Sequence, residues 1–299
     1  MAVENKVSIY GQIRKIKKKP VESKKSGEPG IYVSMAVMVS RRRQAGFGVI
    51  NGANRIDVVT VLFRSAELVD RLLDPARPVR ENDMIYVYGV YCTVPVRRRW
   101  LCPSCGEVNL LDGTATFIHP LVFKIQETPE SLGVDEITRP MAFDMIREMD
   151  EISNRIKIMG NLCRDPTIYR SRGGVNVGTY QIATDRCVHL MEDAPQIMTD
   201  YPWVRSLGKI AESDYRHLKT GSLVYIDGSV QSRRMYSRSL QCGYCGEWTR
   251  LMDNDGTMDI VPFEVEYLRN YKTDPDAESA EKNAVEILPE DTDDLEFEQ

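Results

Sequence analysis

Apolar and polar residues alternate along much of the chain, as they do in strands that bury one face. The first such run places Val7, Ile9 and Ile13 on one side of a strand. Two further runs, 31–40 and 55–63, predict a hairpin, and a short helix is predicted over 65–74. Two more strands follow, so the pattern predicts the order strand, hairpin, helix, hairpin.

The same order of segments recurs in the second half of the chain. NKVSIYG at 5–11 matches NRIKIMG at 154–160, and MIYVYG at 84–89 matches LVYIDG at 223–228. In the second copy we predict a strand over 175–184 and a helix over 203–219. The repeat predicts two copies of a unit of roughly 120 residues.

The predicted fold is mostly β, with two tandem oligonucleotide-binding (OB) folds. The OB fold is a partly open barrel of five strands, and each copy here would carry one short helix. We place the first barrel at 1–127, a linker at 128–150, the second barrel at 151–271 and a disordered acidic tail at 272–299.

The charge is unevenly distributed. Residues 274–299 hold eleven acids and one lysine, a net charge of −10, and because the whole chain carries −5 the remainder carries +5. A segment with few apolar residues and repelling like charges is expected to be disordered. It is interpreted either as a solubility tail or as a tether that binds a partner through Leu295 and Phe297.

The chain has no run of about 20 apolar residues that would cross a bilayer. Its N-terminus also lacks the apolar segment of a signal peptide. We therefore expect a soluble cytoplasmic protein without membrane contact. Its seven cysteines would then be in a reducing compartment, where disulfides are not expected.

Two octets share the frame Cys-x-x-Cys-Gly-Glu: LCPSCGEV at 101–108 and QCGYCGEW at 241–248. Each pair, here called a hook, falls in the turn between the last two strands of its unit. A hook offers two sulfurs, whereas a structural zinc site needs four ligands. We therefore predict one structural zinc per chain, closed within a chain or across a dimer, with these ligands: Cys102, Cys105, Cys242 and Cys245.

Other interpretations of the cysteines stay open. A redox pair requires a helix after its first cysteine, which neither hook predicts, and inert thiols are the third possibility. His119 is a candidate extra ligand for the first hook. The remaining cysteines, Cys92, Cys163 and Cys187, are expected to be buried structural thiols.

Three ordered segments of the second half carry a resemblance: NRIKIMGNLCRDPTIYRSRGG, then YQIATDR, then GSLVYIDGSVQSR. Together they resemble the bacterial single-stranded DNA-binding protein family. The resemblance implies a non-catalytic protein that binds single-stranded DNA in replication, recombination or transfer. Some members carry two OB domains per chain and pair, which implies a homodimer presenting four OB domains.

The tail also resembles that family's acidic tail, whose tip docks replication and recombination proteins. Here the tip reads DDLEFEQ and lacks the family's terminal Pro-Phe. The cysteine hooks likewise depart from the family pattern.

Single strands bind through basic grooves and through aromatic rings on which bases stack. Arginines and aromatics recur in the same two loops of both copies, and the candidate contacts are Arg41, Arg42, Arg43, Phe47, Arg97, Arg98, Arg99, Trp100, Tyr169, Arg170, Arg172, Tyr180, Arg233, Arg234, Tyr236 and Trp248.

Some of these side chains have a second interpretation. Tyr180 is equally well explained as a core residue, and Trp100 and Trp248 as rings packed over the metal turn. Lys15–Lys19 is either an accessory phosphate contact or a solvated loop.

Signatures of enzymes are missing. Residues 46–52 have the wrong glycine spacing for a dinucleotide fingerprint, and no phosphate-binding Gly-x-x-x-x-Gly-Lys-Ser/Thr loop occurs. The three histidines are scattered singly. Two classes remain: a single-stranded DNA-binding protein, and an OB-fold adaptor or scaffold (or an RNA binder) in a replication or conjugation complex.

Overall fold

The first half of the chain folds into five long strands and one short helix. The computed structural model describes residues 4–22, 29–41, 56–171, 173–186, 188, 190, 198–233, 236–253 and 257–272. The elements of the first half are β1 (Asn5–Glu22), β2 (Pro29–Ser40), β3 (Ile56–Phe63), α1 (Ala66–Leu72), β4 (Met84–Leu101) and β5 (Val108–Glu127).

The segment between the halves is helical. It contains α2 (Pro129–Leu132), α3 (Arg139–Glu148) and α4 (Asp150–Ser153). The side chain of Thr128 accepts a hydrogen bond from the amide of Ser131, which caps the first of these helices. Ala142 and Ile146, one turn apart on α3, are buried against β1 and β2, so this segment is packed on the first half.

The second half repeats the order of the first with four additional short strands. Its elements are β6 (Asn154–Leu162), β7 (Thr167–Arg170), β8 (Asn176–Asp185), β9 (Thr199–Asp200), β10 (Trp203–Leu207), α5 (Gly208–His217), β11 (Leu223–Ser232), β12 (Tyr236–Gln241), β13 (Trp248–Asp253) and β14 (Met258–Arg269).

The strands of the first half close on themselves. The pairing runs β1–β2–β3–β5–β4 and returns to β1, with β3 and β5 parallel at Val61 and Ile118 and the other neighbours antiparallel. This confirms the prediction of a mostly β chain with a five-stranded barrel and few helices, and the barrel is closed. Inward-facing residues such as Val7, Ile9 and Val87 are fully buried, as the alternation predicted.

The pairings of the second half follow the same cycle, β6–β8–β10–β14–β11 and back to β6. Here β10 and β14 are parallel, at Val204 and Ile260. In chain order, the helix of each half stands between the third and fourth strands of its cycle, α1 between β3 and β4 and α5 between β10 and β11. Gly11 and Gly160 occupy matching places: a Cβ there would lie 2.1 Å and 2.6 Å from the carbonyl oxygens of Met38 and Ala183.

The two halves share one sheet and one core. Asn5–Ile9 of β1 pairs antiparallel with Asn154–Ile158 of β6, so the strands β5–β4–β1–β6–β11–β14 run side by side. The largest cluster of buried apolar side chains contains residues from both halves, among them Ile9 and Ile158. The halves are therefore joined to each other by backbone pairing as well as by packing.

One predicted helix boundary was wrong, and one alternative left open by the sequence, a loop at Lys15–Lys19, does not hold. The helix predicted over 203–219 begins only at Gly208, because Trp203–Leu207 pairs with β8 as a strand. Lys15–Lys19 is not a loop: it lies within β1 and pairs with Tyr32–Ala36 of β2. In both places, hydrogen bonding to a neighbouring strand overrode a pattern that is ambiguous over a few residues.

Among the described residues, no helix is long and apolar enough to cross a membrane. The acidic segment 273–299, with Leu295 and Phe297, lies outside the described residues.

Candidate metal centre and nucleic-acid interface

The two hooks meet within one chain. Cys102 Sγ lies 3.8 Å from Cys245 Sγ, and Cys105 Sγ lies 3.7 Å from Cys242 Sγ. All four sulfurs lie within 4.8 Å of one another. The structure thus selects closure within the chain, one of the two arrangements that the sequence left open.

The hooks have matching backbone turns. In the first, the amide of Cys102 donates to Glu107 O and Gly106 N donates to Cys102 O, both at 2.9 Å. The second repeats these bonds at 2.9 and 3.0 Å. Gly106 and Gly246 have φ of 75° and 74°, the left-handed region that glycine enters without steric cost.

Long hairpins carry the hooks to this meeting point. In the first half, β4 and β5 stay paired from Met84–Glu127 to Leu101–Val108, forming an arm that extends beyond the barrel. In the second half, β12 and β13 form a separate two-stranded hairpin from Tyr236–Asp253 to Gln241–Trp248. The four cysteines stand at the tips of these two hairpins.

The sulfur spacing fits a tetrahedral metal site. With metal–sulfur bonds of about 2.3 Å, sulfurs at the corners of a tetrahedron are about 3.8 Å apart. A disulfide would require about 2.05 Å. Four thiolates around one point are the ligand set that zinc prefers, so the residues fit a structural zinc ion.

The surroundings of Cys102 and Cys242 favour the thiolate form, whereas desolvation and the neighbouring sulfurs raise the pKa of Cys105 to about 12 and also raise that of Cys245. Hydrogen bonds from the amides of Cys245 and Tyr244, and from the side chain of Asn109, lower the pKa of Cys242 to about 6. The amide of Cys105 lowers the pKa of Cys102 in the same way. Cys102 and Cys242 are buried, whereas Cys105 and Cys245 are exposed.

The other candidate ligand and thiols lie elsewhere. Among the described residues, the sulfur cluster contains no histidine. His119 is buried in β5 opposite Val90, away from the tip. Cys92 is buried, as predicted, and burial raises the pKa of its thiol to about 12. Cys163 is exposed, so that prediction was wrong, and Cys187 lies outside the described residues.

The first arm divides its arginines between two faces. Arg97 and Arg99 are exposed, whereas Arg98 and Trp100, which alternate with them, are half-buried. The guanidinium of Arg97 makes an exposed ion pair of 2.9 Å with Asp112 on the opposite strand. One face of the Arg97–Trp100 run is therefore more fully exposed to a ligand in solution than the other.

The second hairpin presents aromatic and basic groups at its tip. Trp248 and Tyr244 are 67% and 69% exposed, and Arg250 is exposed on the same face as Trp248. Arg233, at the base of the hairpin, makes a two-bond ion pair with Asp259 at 2.6 and 3.2 Å. Arg234 lies outside the described residues, and so does the side chain of Tyr236.

Some candidate contacts have other partners or are inaccessible. Tyr180 is fully buried in the core, so its ring cannot stack on a base. Arg41 is half-buried and donates to Gln231 Oε1 of the other half at 3.2 Å. Arg170, on the edge strand β7, is exposed and donates to Gly174 O. Further candidates lie outside the described residues: Arg42, Arg43, Phe47 and Arg172.

Of the aromatic and basic surface around β7 and β10, the sequence patterns identified Tyr169 and missed its other members. The guanidinium of Arg164 lies 5.0 Å above the ring of Trp203, and Arg205 donates to the hydroxyl of Tyr169 at 3.4 Å. Tyr201, next to this pair, is 45% exposed. Trp203 was overlooked because its segment was interpreted as the start of a helix; its alternation with buried Val204 and Ser206 is the signal of a strand.

Comparison with known proteins gives one family match and several relatives. A model described as "Single-strand binding protein family" matches residues 153–243. The chain is 30% identical over 94 residues to a single-stranded DNA-binding protein of Xylella fastidiosa, covering 31% of this chain and 57% of that one. It is 32% identical over 81 residues to one of Staphylococcus epidermidis, covering 27% and 60%.

Solved structures resemble a larger part of the chain. The single-stranded DNA binding protein from Thermus aquaticus aligns with a TM-score of 0.50 and 14% identity over 92% of this chain and 97% of that one. A deletion mutant of it aligns with a TM-score of 0.52 and 15% identity, over 92% and 100%. At this identity the likeness concerns the fold, and the chain spans only 57–60% of the length of the curated relatives above.

Proposed function

We propose that the chain is a non-catalytic, cytoplasmic protein that binds single-stranded DNA with little sequence preference. It would protect or organise the strand in replication, recombination or transfer. The family match over 153–243 carries this proposal, because the matched segment also builds the aromatic and basic surface around Trp203. Phosphate contacts and stacking are available to every base, which explains sequence tolerance.

The proposal includes two tandem OB folds, at 1–127 and 151–271, joined by a linker at 128–150. The matching cycles of strand pairing, each with one parallel pair and a helix before the fourth strand, support it. Two barrels fixed through β1 and β6 would hold their binding surfaces at a constant separation.

Binding to oligonucleotides of equal length tests the function. Single-stranded DNA is expected to bind well above duplex DNA, and RNA is measured beside it because stacking does not distinguish the sugars. Trp203→Ala should cost about 1–3 kcal/mol of binding free energy if a base stacks there. Tyr180→Phe is the matched control, since that ring is buried. Equal affinity for duplex DNA would contradict the proposal.

We also propose that the four hook cysteines hold one structural zinc per chain. The metal would lock the two hairpins together, and its binding free energy would add to the stability of the fold. Metal analysis should give one zinc per chain. Changing either pair, Cys102 with Cys105 or Cys242 with Cys245, to serine should release all of it, while binding of single strands at moderate temperature persists. Two zincs per chain, or none, would contradict the shared site.

Two association properties complete the proposal. A homodimer would present four OB domains. The outer face of the shared sheet exposes Val122 and Lys124 at one end and Glu264 and Glu266 at the other. A second copy in the opposite orientation would place the lysine near the glutamates, so the charges favour this arrangement. The acidic tail would bind replication or recombination proteins through Leu295 and Phe297. Light scattering tests the first property; pull-down of such proteins with and without 274–299 tests the second.

An adaptor or scaffold is the second candidate function. Leu101 and Leu110, on one face of the first arm, are 63% and 62% exposed, which suits a protein partner better than a nucleic acid. Protein partners captured by the arm, together with absence of salt-dependent binding to oligo-dT, would favour this candidate over the first.

A further inference from the structure

The two hooks differ in what surrounds their sulfurs. Asn109, on β5 just after the first hook, places its Nδ2 3.3 Å from Cys242 Sγ. Its Oδ1 accepts a hydrogen bond of 2.9 Å from the amide of Gly243. One side chain of the first half therefore contacts both a sulfur and the backbone of the second hook, and it is only 9% exposed.

The reverse contact cannot form. The second hook has Thr249 in the place of Asn109: Asn109 lies opposite Trp100, and Thr249 lies opposite Leu240. The first hook has Pro103 in the place of Gly243, and proline has no amide N–H to donate. The difference between the hooks is therefore encoded in the sequence at two positions that face each other across the metal site.

We propose that Asn109 and Gly243 are a positioning pair that makes the metal site form between unlike hooks of one chain. This inference rests on the proposed metal site. If two first hooks met, Asn109 would face Pro103 and find no donor. If two second hooks met, the amide of Gly243 would face Thr249 instead of an asparagine. The buried Asn109 side chain left without a donor opposes the first arrangement, and the second arrangement loses the hydrogen bond that joins Asn109 to Gly243.

The same pair also orients a ligand sulfur. A hydrogen bond from Asn109 Nδ2 fixes the position of Cys242 Sγ and spreads part of the thiolate charge. Residues that orient metal ligands in this way typically contribute 10- to 100-fold to metal affinity. Asn109 is thus a positioning residue that acts through Cys242.

Variants that exchange residues between the hooks test the orienting role. Asn109→Thr copies the residue that the second hook accommodates, and Asn109→Asp keeps the acceptor for Gly243 while losing the donor to sulfur. Both should weaken zinc affinity about 10- to 100-fold and shift the sulfur-to-metal absorption band of the Co2+-loaded full-length protein. Thr249→Val, on the other hook, is the matched control and should change neither quantity.

A second measurement tests whether the pair makes the metal site form between the two different hooks of one chain rather than between identical hooks of two chains. Gly243→Pro, combined with Asn109→Thr, removes the pair without touching a sulfur. Zinc-dependent association of chains beyond the wild-type mass should then appear in light scattering, and Pro103→Gly should behave as wild type.

The results separate this inference from the metal site beneath it. Wild-type protein that takes up no Co2+ would overturn both the proposed metal site and the positioning pair. Wild-type protein that binds Co2+, with variants of Asn109 unchanged in affinity and spectrum and no new association, would overturn the positioning pair alone.

Discussion

Asp200 of the second half accepts two hydrogen bonds from Thr93 of the first half, from the amide at 2.6 Å and from the hydroxyl at 3.2 Å. The matching contact occurs in reverse: Asp57 of the first half accepts hydrogen bonds from the amide and the hydroxyl of Ser232. An arginine accompanies each aspartate, Arg186 for Asp200 and Arg41 for Asp57. These reciprocal contacts, here called the clasps, join the halves at two places related by the repeat.

Thr93→Val tests the contribution of one clasp. The hydroxyl of Thr93 donates to Asp200 and accepts from the amide of Tyr201 at 2.9 Å, so valine leaves two polar groups short of a partner. We expect the free energy of unfolding in urea to fall by about 1–3 kcal/mol.

The half-buried Thr60 on β3 supplies the control for this clasp. Thr60→Val should change the free energy of unfolding by less than about 0.5 kcal/mol, as is usual away from buried networks. Equal effects of the two substitutions would mean that the clasp contributes nothing specific.

A histidine makes the stability depend on pH. Burial lowers the pKa of His119 to about 4, and the positive charges of Arg64 and Arg186 act in the same direction. The unfolded chain, with a pKa of about 6.5, therefore binds this proton at higher pH than the folded chain. Its contribution is complete above pH 6.5 and is lost as the pH falls towards 4, by about 3 kcal/mol in all.

His119→Val should remove this dependence of stability on pH, because valine binds no proton. Valine is chosen since the second half has Val261 at the matching place. Urea unfolding of the two proteins at several pH values between 7.5 and 4.5 gives the comparison. A difference between them that stays constant across this range would refute the assignment to His119.

The alternation on the first arm predicts different roles for neighbouring arginines. Replacing Arg97 and Arg99 together with alanine should weaken binding to all single strands alike. The slope of log affinity against log salt should flatten by about 0.7 for each phosphate that the protein no longer neutralises. Arg98→Ala, on the half-buried face, is the control and should alter the slope much less. An equal flattening by Arg98→Ala would show that the ligand reaches both faces.

Deleting residues 274–299 removes a net charge of −10 that competes with DNA for basic groups. Affinity for single strands should stay equal or rise at low salt, and the difference should shrink as added salt screens the tail. Fluorescence anisotropy across a salt series measures it. A large loss of affinity on deletion would place part of the DNA site in the tail.

Much of the fold could be predicted from the sequence, because the same order of strands and helix occurs twice. Alternation over long strands such as β1 and β4 predicts strands directly, because each strand buries only one face. The strand at 203–207 was wrongly predicted as helix, because five residues are too few to distinguish the two-residue period of a strand from the 3.6-residue period of a helix. Its status as a strand depends on pairing with β8, a partner distant in the sequence.

The sequence by itself determined the mostly β class, the repeat, and the grouping of four cysteines as candidate ligands of one site, because residue spacing and ligand chemistry are local properties. Tertiary structure decided that the hooks close within the chain, that Arg98 is half-buried while Arg97 is exposed, and that Tyr180 belongs to the core. It also decided that Asn109 reaches the opposite hook. These outcomes depend on how two distant hairpins approach each other, and that approach is fixed by the pairing of β1 with β6 and by the clasps rather than by any local pattern.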